Sequence, residues 1–211
     1  GDWRKLAETL AISGFTDLSN GNLESAQKSL DEAYEINQQI NNREMEFVLS
    51  GKGILAMQRG EYGLARDFLQ ENAQLQEEVG NRMGILWAQA RIAYVALREG
   101  NLAEAKRLLT DVIINFQADQ NKSGLAFTLD KMASLHVLTD NLKVAAQLIG
   151  WSDTARKQVG DPRPRLEQAE LDRDIAAIQE KIGSAAYEAA YDSGSEMTLD
   201  EVVAAALGEK E

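Results

Sequence analysis

Gly21-Asn22-Leu23-Glu24-Ser25-Ala26 is a phrase that this chain writes four times. It returns as Gly60-Glu61-Tyr62-Gly63-Leu64-Ala65, as Gly100-Asn101-Leu102-Ala103-Glu104-Ala105, and as Asp140-Asn141-Leu142-Lys143-Val144-Ala145. A fixed period of about 40 residues marks stacked supersecondary units, none of which can bury its apolar face alone. Working outward from the phrase, each unit reads as two helices. In the third, Ile85, Leu86, Ala88, Ile92, Val95 and Ala96 recur at helical spacing. Gly100 ends that helix by accepting a positive φ without a Cβ penalty. Asn101 is placed to cap the next helix, which runs through Ala105, Leu108, Leu109, Val112 and Phe116. The other units repeat the plan over about 2–40, 41–79 and 121–159.

Side-chain size is as regular as the turn. A small residue stands seven positions before each turn (Gly14, Gly53, Ala93, Ala133), and another follows it (Ala26, Ala65, Ala105, Ala145). Four residues later comes a bulky knob: Leu30, Leu69, Leu109 or Ile149. Small residues let paired helices approach, and the knob fills the next groove. Small, turn, small, large is the arrangement of a tetratricopeptide repeat, lengthened from 34 residues to about 40. After Gly160 the period breaks. Asp161-Pro162-Arg163-Pro164 holds both prolines and predicts a helix interruption. A helix over Arg165 to Ile182 follows, then a short one over Ala185 to Asp192. Ser193-Gly194-Ser195 reads as a loop, and Thr198-Leu199-Asp200-Glu201 is a capping-box pattern opening a last helix to about Leu207. The expected fold is all-α: a tetratricopeptide-like α-solenoid of four hairpins over 1–160, closed by capping helices over 161–211.

Bulk composition excludes several classes. Of 211 residues, 44% are apolar, enough for a substantial core. No apolar run approaches the roughly 20 residues that span a bilayer, and no signal-peptide pattern is present. The absence of Cys removes disulfides, thiol catalysis and thiolate metal sites, and fits a reducing cytoplasm. The net charge of −12 argues against direct nucleic-acid binding by this segment. From Asp161 onward, 13 acidic residues face 5 basic ones, a pattern read as a solvated helix face. The chain opens without Met and runs directly into a helical pattern, which is read as a piece of a longer protein.

Gly80-Asn81-Arg82-Met83-Gly84-Ile85-Leu86-Trp87-Ala88 and Asn121-Lys122-Ser123-Gly124-Leu125-Ala126-Phe127 resemble helix openings in one family. It is the tetratricopeptide region of large bacterial LuxR-type and related STAND-class multidomain ATPase regulators. Ala145-Ala146-Gln147-Leu148-Ile149-Gly150, Ile182-Gly183-Ser184-Ala185-Ala186-Tyr187-Glu188-Ala189-Ala190-Tyr191 and the stretch from Met197 to Leu207 are similar to the end of such arrays. The chain departs from the pattern at Trp151 and at Ser193-Gly194-Ser195-Glu196. The resemblance implies a C-terminal sensor or interaction module, with nucleotide-binding and DNA-binding or cyclase parts elsewhere in a parent chain.

No phosphate loop, dinucleotide fingerprint or zinc-protease motif occurs. Gly51-Lys52-Gly53 is too short for a Walker loop and lies in a helical stretch. The single histidine, His136, stands where the repeat places a packing residue, and one His without Cys does not make a typical zinc site. No cofactor and no metal are expected, and the chain is read as non-enzymatic.

Binding candidates are the positions that repeat geometry aims at the concave face. Phe47, Trp87 and Phe127 form one row, and Phe15, Ile54, Tyr94 and Ser134 a second. Arg91 and Lys131 lie beside them, with Gln58 and Arg98 near the turn end. Aromatics flanked by cations suit a peptide held by apolar anchoring and charge-assisted bonds to carboxylates. The same Phe47, Trp87 and Phe127 row also reads as ordinary core. The expected partner is a protein, a peptide or another domain of the parent chain. A small effector in the groove and a homodimer remain open alternatives.

Overall fold

The computed structural model describes residues 2–40 and 45–208. Among them are eleven α-helices and no strand: α1 (Trp3–Asn20), α2 (Leu23–Gln39), α3 (Glu46–Gln58), α4 (Tyr62–Glu78), α5 (Arg82–Arg98), α6 (Leu102–Ala118), α7 (Lys122–Leu138), α8 (Leu142–Val159), α9 (Arg165–Ile182), α10 (Ser184–Ser195) and α11 (Leu199–Leu207). The architecture is an all-α helical repeat of the solenoid class. Residues 41–44, where the second repeat was expected to open, lie outside the described residues. Two compact units divide the chain, Gly1–Gly100 and Asn101–Glu211.

In the first unit, the same turn joins α1 to α2, α3 to α4 and α4 to α5. Gly21 and Gly60 take φ values of 83° and 77°. The amide that follows each of these turn glycines bonds back five residues, from Asn22 to Asp17 at 2.8 Å and from Glu61 to Ala56 at 2.9 Å. This pattern satisfies carbonyls that a helix end would otherwise leave bare. The knobs Leu30 and Leu69 are fully buried. Full burial of such a side chain contributes about 1.5–3 kcal/mol. A Cβ at Gly14 or Gly53 would stand 2.7 Å from the Cγ of its knob, so the small residues are set by contact with Leu30 and Leu69. A polar ladder runs through this core. Asn72 donates to Ser50 Oγ at 3.0 Å, Gln76 to Asn72 at 3.3 Å, and Asn81 to Gln76 at 2.7 Å. The Asn81 side chain then caps α5 by accepting from the Gly84 amide.

In the second unit, Asn101 and Asn121 cap α6 and α7 by accepting the amides of Glu104 and Gly124. Asp140, at φ 65°, occupies the position that glycine holds in the other repeat turns. Leu109 and Ile149 are the buried knobs. The tail folds onto these helices. Helix α9 spans Arg165–Ile182, as the proline segment and Gly183 suggest. Helix α10 runs through Ser195, so the expected loop at Ser193-Gly194-Ser195 is instead helical. The reason is a backbone crossing with α8. A Cβ on Gly150 would lie 2.1 Å from the Tyr191 carbonyl oxygen, and one on Gly194 2.0 Å from that of Gln147. The residue order at this crossing makes α8 and α10 antiparallel. Helix α11 opens with the Thr198/Glu201 capping box and buries Val202, Val203 and Ala206. It is tied to α6 by Gln117 donating to Asp200 at 2.8 Å, and to α7 by His136 Nε2 meeting the Ala206 carbonyl at 3.0 Å.

Candidate partner-binding faces

On the first unit the repeat register brings α1, α3 and α5 side by side. Phe15 and Phe47 meet edge to face, with centroids 5.9 Å apart. The Arg91 guanidinium lies over Phe15 at 5.8 Å and over Trp87 at 5.3 Å. One turn on, Arg98 stacks on Tyr94 at 5.9 Å and donates to its hydroxyl at 3.3 Å. Tyr94 is buried, and Trp87, Arg91 and Arg98 are half-buried. Phe47 is 55% exposed, so the ring that packs edge to face on Phe15 is largely in solvent. A planar cation on a ring face is attracted by the ring quadrupole, and the stack holds both groups in place. Beside it a groove of about 410 Å³ is lined by Arg4, Ala11, Asn37, Phe47, Gln76 and Asn81, among others.

The equivalent face of the second unit is built differently. Phe127 and Lys131 are 7% and 4% exposed. Lys131 Nζ lies 5.4 Å from the Phe127 ring centre and 3.5 Å from Glu170 of α9. Ser134 donates to Asp174, one turn further along α9. Burial raises the Asp174 carboxyl, against the lowering effects of the Ser134 bond and of Lys131. Helix α9 therefore occupies the positions that repeat geometry assigns to a groove.

Next to this seat lies a charge network that no local sequence pattern announces. Asp130 is buried and accepts from Arg156 at 3.1 Å and from Arg163 at 2.9 Å through both Nε and Nη2. Arg163 also pairs with Asp153 at 2.8 Å, and the Tyr191 hydroxyl donates to Asp153 at 2.9 Å. Burial by itself would lower the Arg163 guanidinium, but its bonds and attraction to Asp130 and Asp153 outweigh that and raise it. The Tyr187 and Tyr191 phenols are pushed up to about 12, first by burial and then by the charge on Asp153. Arg163 sits between two prolines in a stretch with no periodicity, so only the fold brings it to Asp130.

The seven candidates thus fall into two groups. Phe47, Trp87, Arg91, Tyr94 and Arg98 lie on the first unit; Phe15, a member of the second row, joins them there. Phe127 and Lys131 lie on the second, beside α9. His136 is half-buried, and burial lowers its imidazole below the usual value, with Lys106 adding to the effect. Among the described residues no group of three or more His, Asp or Glu side chains is placed to hold a metal ion, and no helix is long and apolar enough to cross a membrane. No protein family, curated protein or solved structure matches this chain.

Proposed function

We propose that this chain is a non-enzymatic, cytoplasmic helical scaffold that binds a protein or peptide partner, serving as the C-terminal interaction module of a bacterial transcriptional or signalling regulator. The observation that carries the reading is the cation-aromatic cluster of the first unit, with Phe47 more than half exposed and edge to face with Phe15, the ring on which Arg91 lies. Aromatic and Arg side chains are the residue types that dominate binding energy at interfaces. The first-unit groove of about 410 Å³ supports a second reading, an effector-binding module, since small-molecule sites occupy about 300–1,000 Å³.

A thermal-shift and peptide-pulldown panel tests both. Ligands stabilise the state they bind. A captured partner should be lost in Arg91→Glu/Arg98→Glu. In Phe47→Ala its affinity should fall by about thirtyfold or more, which corresponds to a hot-spot loss of about 2 kcal/mol. A partner retained at full affinity by both variants sinks the assignment of this face. A small ligand that raises Tm and is lost in Phe47→Ala selects the effector reading.

A further inference from the structure

Helix α9 is joined to the rest of the second unit in an unusual way. It is bounded by Pro162 and Pro164 on one side and by Gly183 on the other, at φ 84° and ψ 151°, a conformation essentially reserved for glycine. Of its eighteen residues only Leu171 and Ile178 are buried. Its further anchors include polar ones: Glu170 to Lys131, Asp174 to Ser134, Glu167 to the buried Arg156 at 3.7 Å, and Lys181 to Asp140 at 2.8 Å, the last on the surface. By contrast α10 is seated by direct backbone contact at Gly150 and Gly194. The two helices of the tail are therefore held by different physics. One is locked by shape, and the other is held by two buried apolar side chains and by carboxylates facing Lys131, Arg156 and the Ser134 hydroxyl.

The seat itself has the chemistry of a recognition surface. Lys131 is stacked on Phe127, and Ser134 stands one turn away. What fills it is a helix presenting carboxylates at i and i+4, Glu170 and Asp174, with apolar anchors at i+1 and i+8, Leu171 and Ile178. This is the helix-in-groove mode of recognition, with both halves supplied by one chain.

We propose that α9 is an intramolecular occupant of a helix-binding groove on α7, and that the groove accepts in its place an acidic amphipathic helix from a partner protein. The proposal rests on the scaffold reading above and gives the partner a chemistry: two carboxylates one turn apart beside an apolar stripe. It also gives the binding a built-in threshold. A partner helix must compete with a tethered one, so its apparent affinity is reduced by the fraction of molecules in which α9 is docked.

The test uses the full chain and a fluorescein-labelled peptide of residues 165–182, followed by anisotropy. In Leu171→Asp/Ile178→Asp the tethered helix loses its two anchors. The peptide should then bind about tenfold or more tighter than to the wild type, because the competing occupant is gone. The same peptide carrying Glu170→Lys and Asp174→Lys should lose that binding. A variant that keeps its helical circular dichroism yet fails to bind the peptide overturns the proposal. Hydrogen exchange on the wild type decides independently, even if the variant does not fold. Amides of α9 should exchange about tenfold or more faster than those of α7, α8 and α10, as expected of a locally opening segment. Protection of α9 equal to that of α8 overturns the proposal. Partner capture retained at full affinity by Phe47→Ala and Arg91→Glu/Arg98→Glu, with peptide binding intact, would remove the first-unit reading alone, so the two failures are distinguishable.

Discussion

Asp130 is a single buried carboxylate shared by two guanidinium groups, with three hydrogen bonds of 2.9–3.1 Å converging on it. Replacing it removes the carboxylate that the two buried cations share, leaving Arg163 with Asp153 and Arg156 with the more distant Asp161 and Glu167. Breaking a buried pair from one side costs about 3–5 kcal/mol. Asp130→Ala should destabilise the second unit by that amount, measured by urea unfolding in a Trp3→Phe/Trp87→Phe background where Trp151 is the reporter. A change below about 1 kcal/mol would mean that the network is solvated and contributes as little as a surface ion pair. The aromatic row shows how far residue-level reading reaches. Phe47, Trp87 and Phe127 were legible as one row because repeat register assigns them one face. Their exposure was not, since 55% at Phe47 and 7% at Phe127 reflect different local surroundings. Only Phe127 lies beneath Lys131 at the α9 seat, and no local pattern announces that helix's docking position.

At the level of helices, turns and caps were legible because their signals are local. Gly21, Gly60 and Gly100 each take the positive φ that the repeated phrase requires. Asn101 caps α6, and the Thr198/Glu201 box opens α11. The end of α10 was not legible, because Ser193-Gly194-Ser195 has loop composition and the helix there is imposed by packing. Gly194 serves as a contact and not as a break. Gly194→Ala should therefore destabilise the chain by about 1–3 kcal/mol, the usual cost of overpacking, although Ala gains about 1 kcal/mol in helix propensity. Gly63 in α4, where a Cβ would meet nothing within 4 Å, is the control. Gly63→Ala should leave Tm unchanged or slightly raised. If the two alanine variants melt alike, the close approach of α8 and α10 is wrong.

For the molecule as a whole, the titration of one side chain gives a readable signature. His136 bonds the Ala206 carbonyl through Nε2, and its buried Nδ1 has no hydrogen-bond partner among the described residues. Its folded-state pKa lies below the ordinary 6.5. The unfolded chain therefore takes up the proton more readily, and the stability linked to this group is present above pH 6.5 and lost as pH falls through the folded value. Asp174 has the opposite sign, its raised carboxyl favouring the folded state as pH falls through the carboxylate range. Between pH 7.5 and 5.5 the wild type should lose stability that His136→Gln does not, measured as the difference in Tm between the two proteins. Parallel pH profiles would contradict the environment assigned to His136.

The bond from Gln117 to Asp200 joins residues 83 apart, and the contact from His136 to Ala206 joins residues 70 apart. Both belong to α11. Chains grow on the ribosome at about 5–20 residues per second, and domains generally fold as units. The first unit has all five of its helices once residue 100 has cleared the exit tunnel. The second unit must hold α6, α7 and α8 with their α11 contacts unmade until that helix has been synthesised. For several seconds of every round of translation, the nascent second unit is thus the species that a chaperone or a protease can reach.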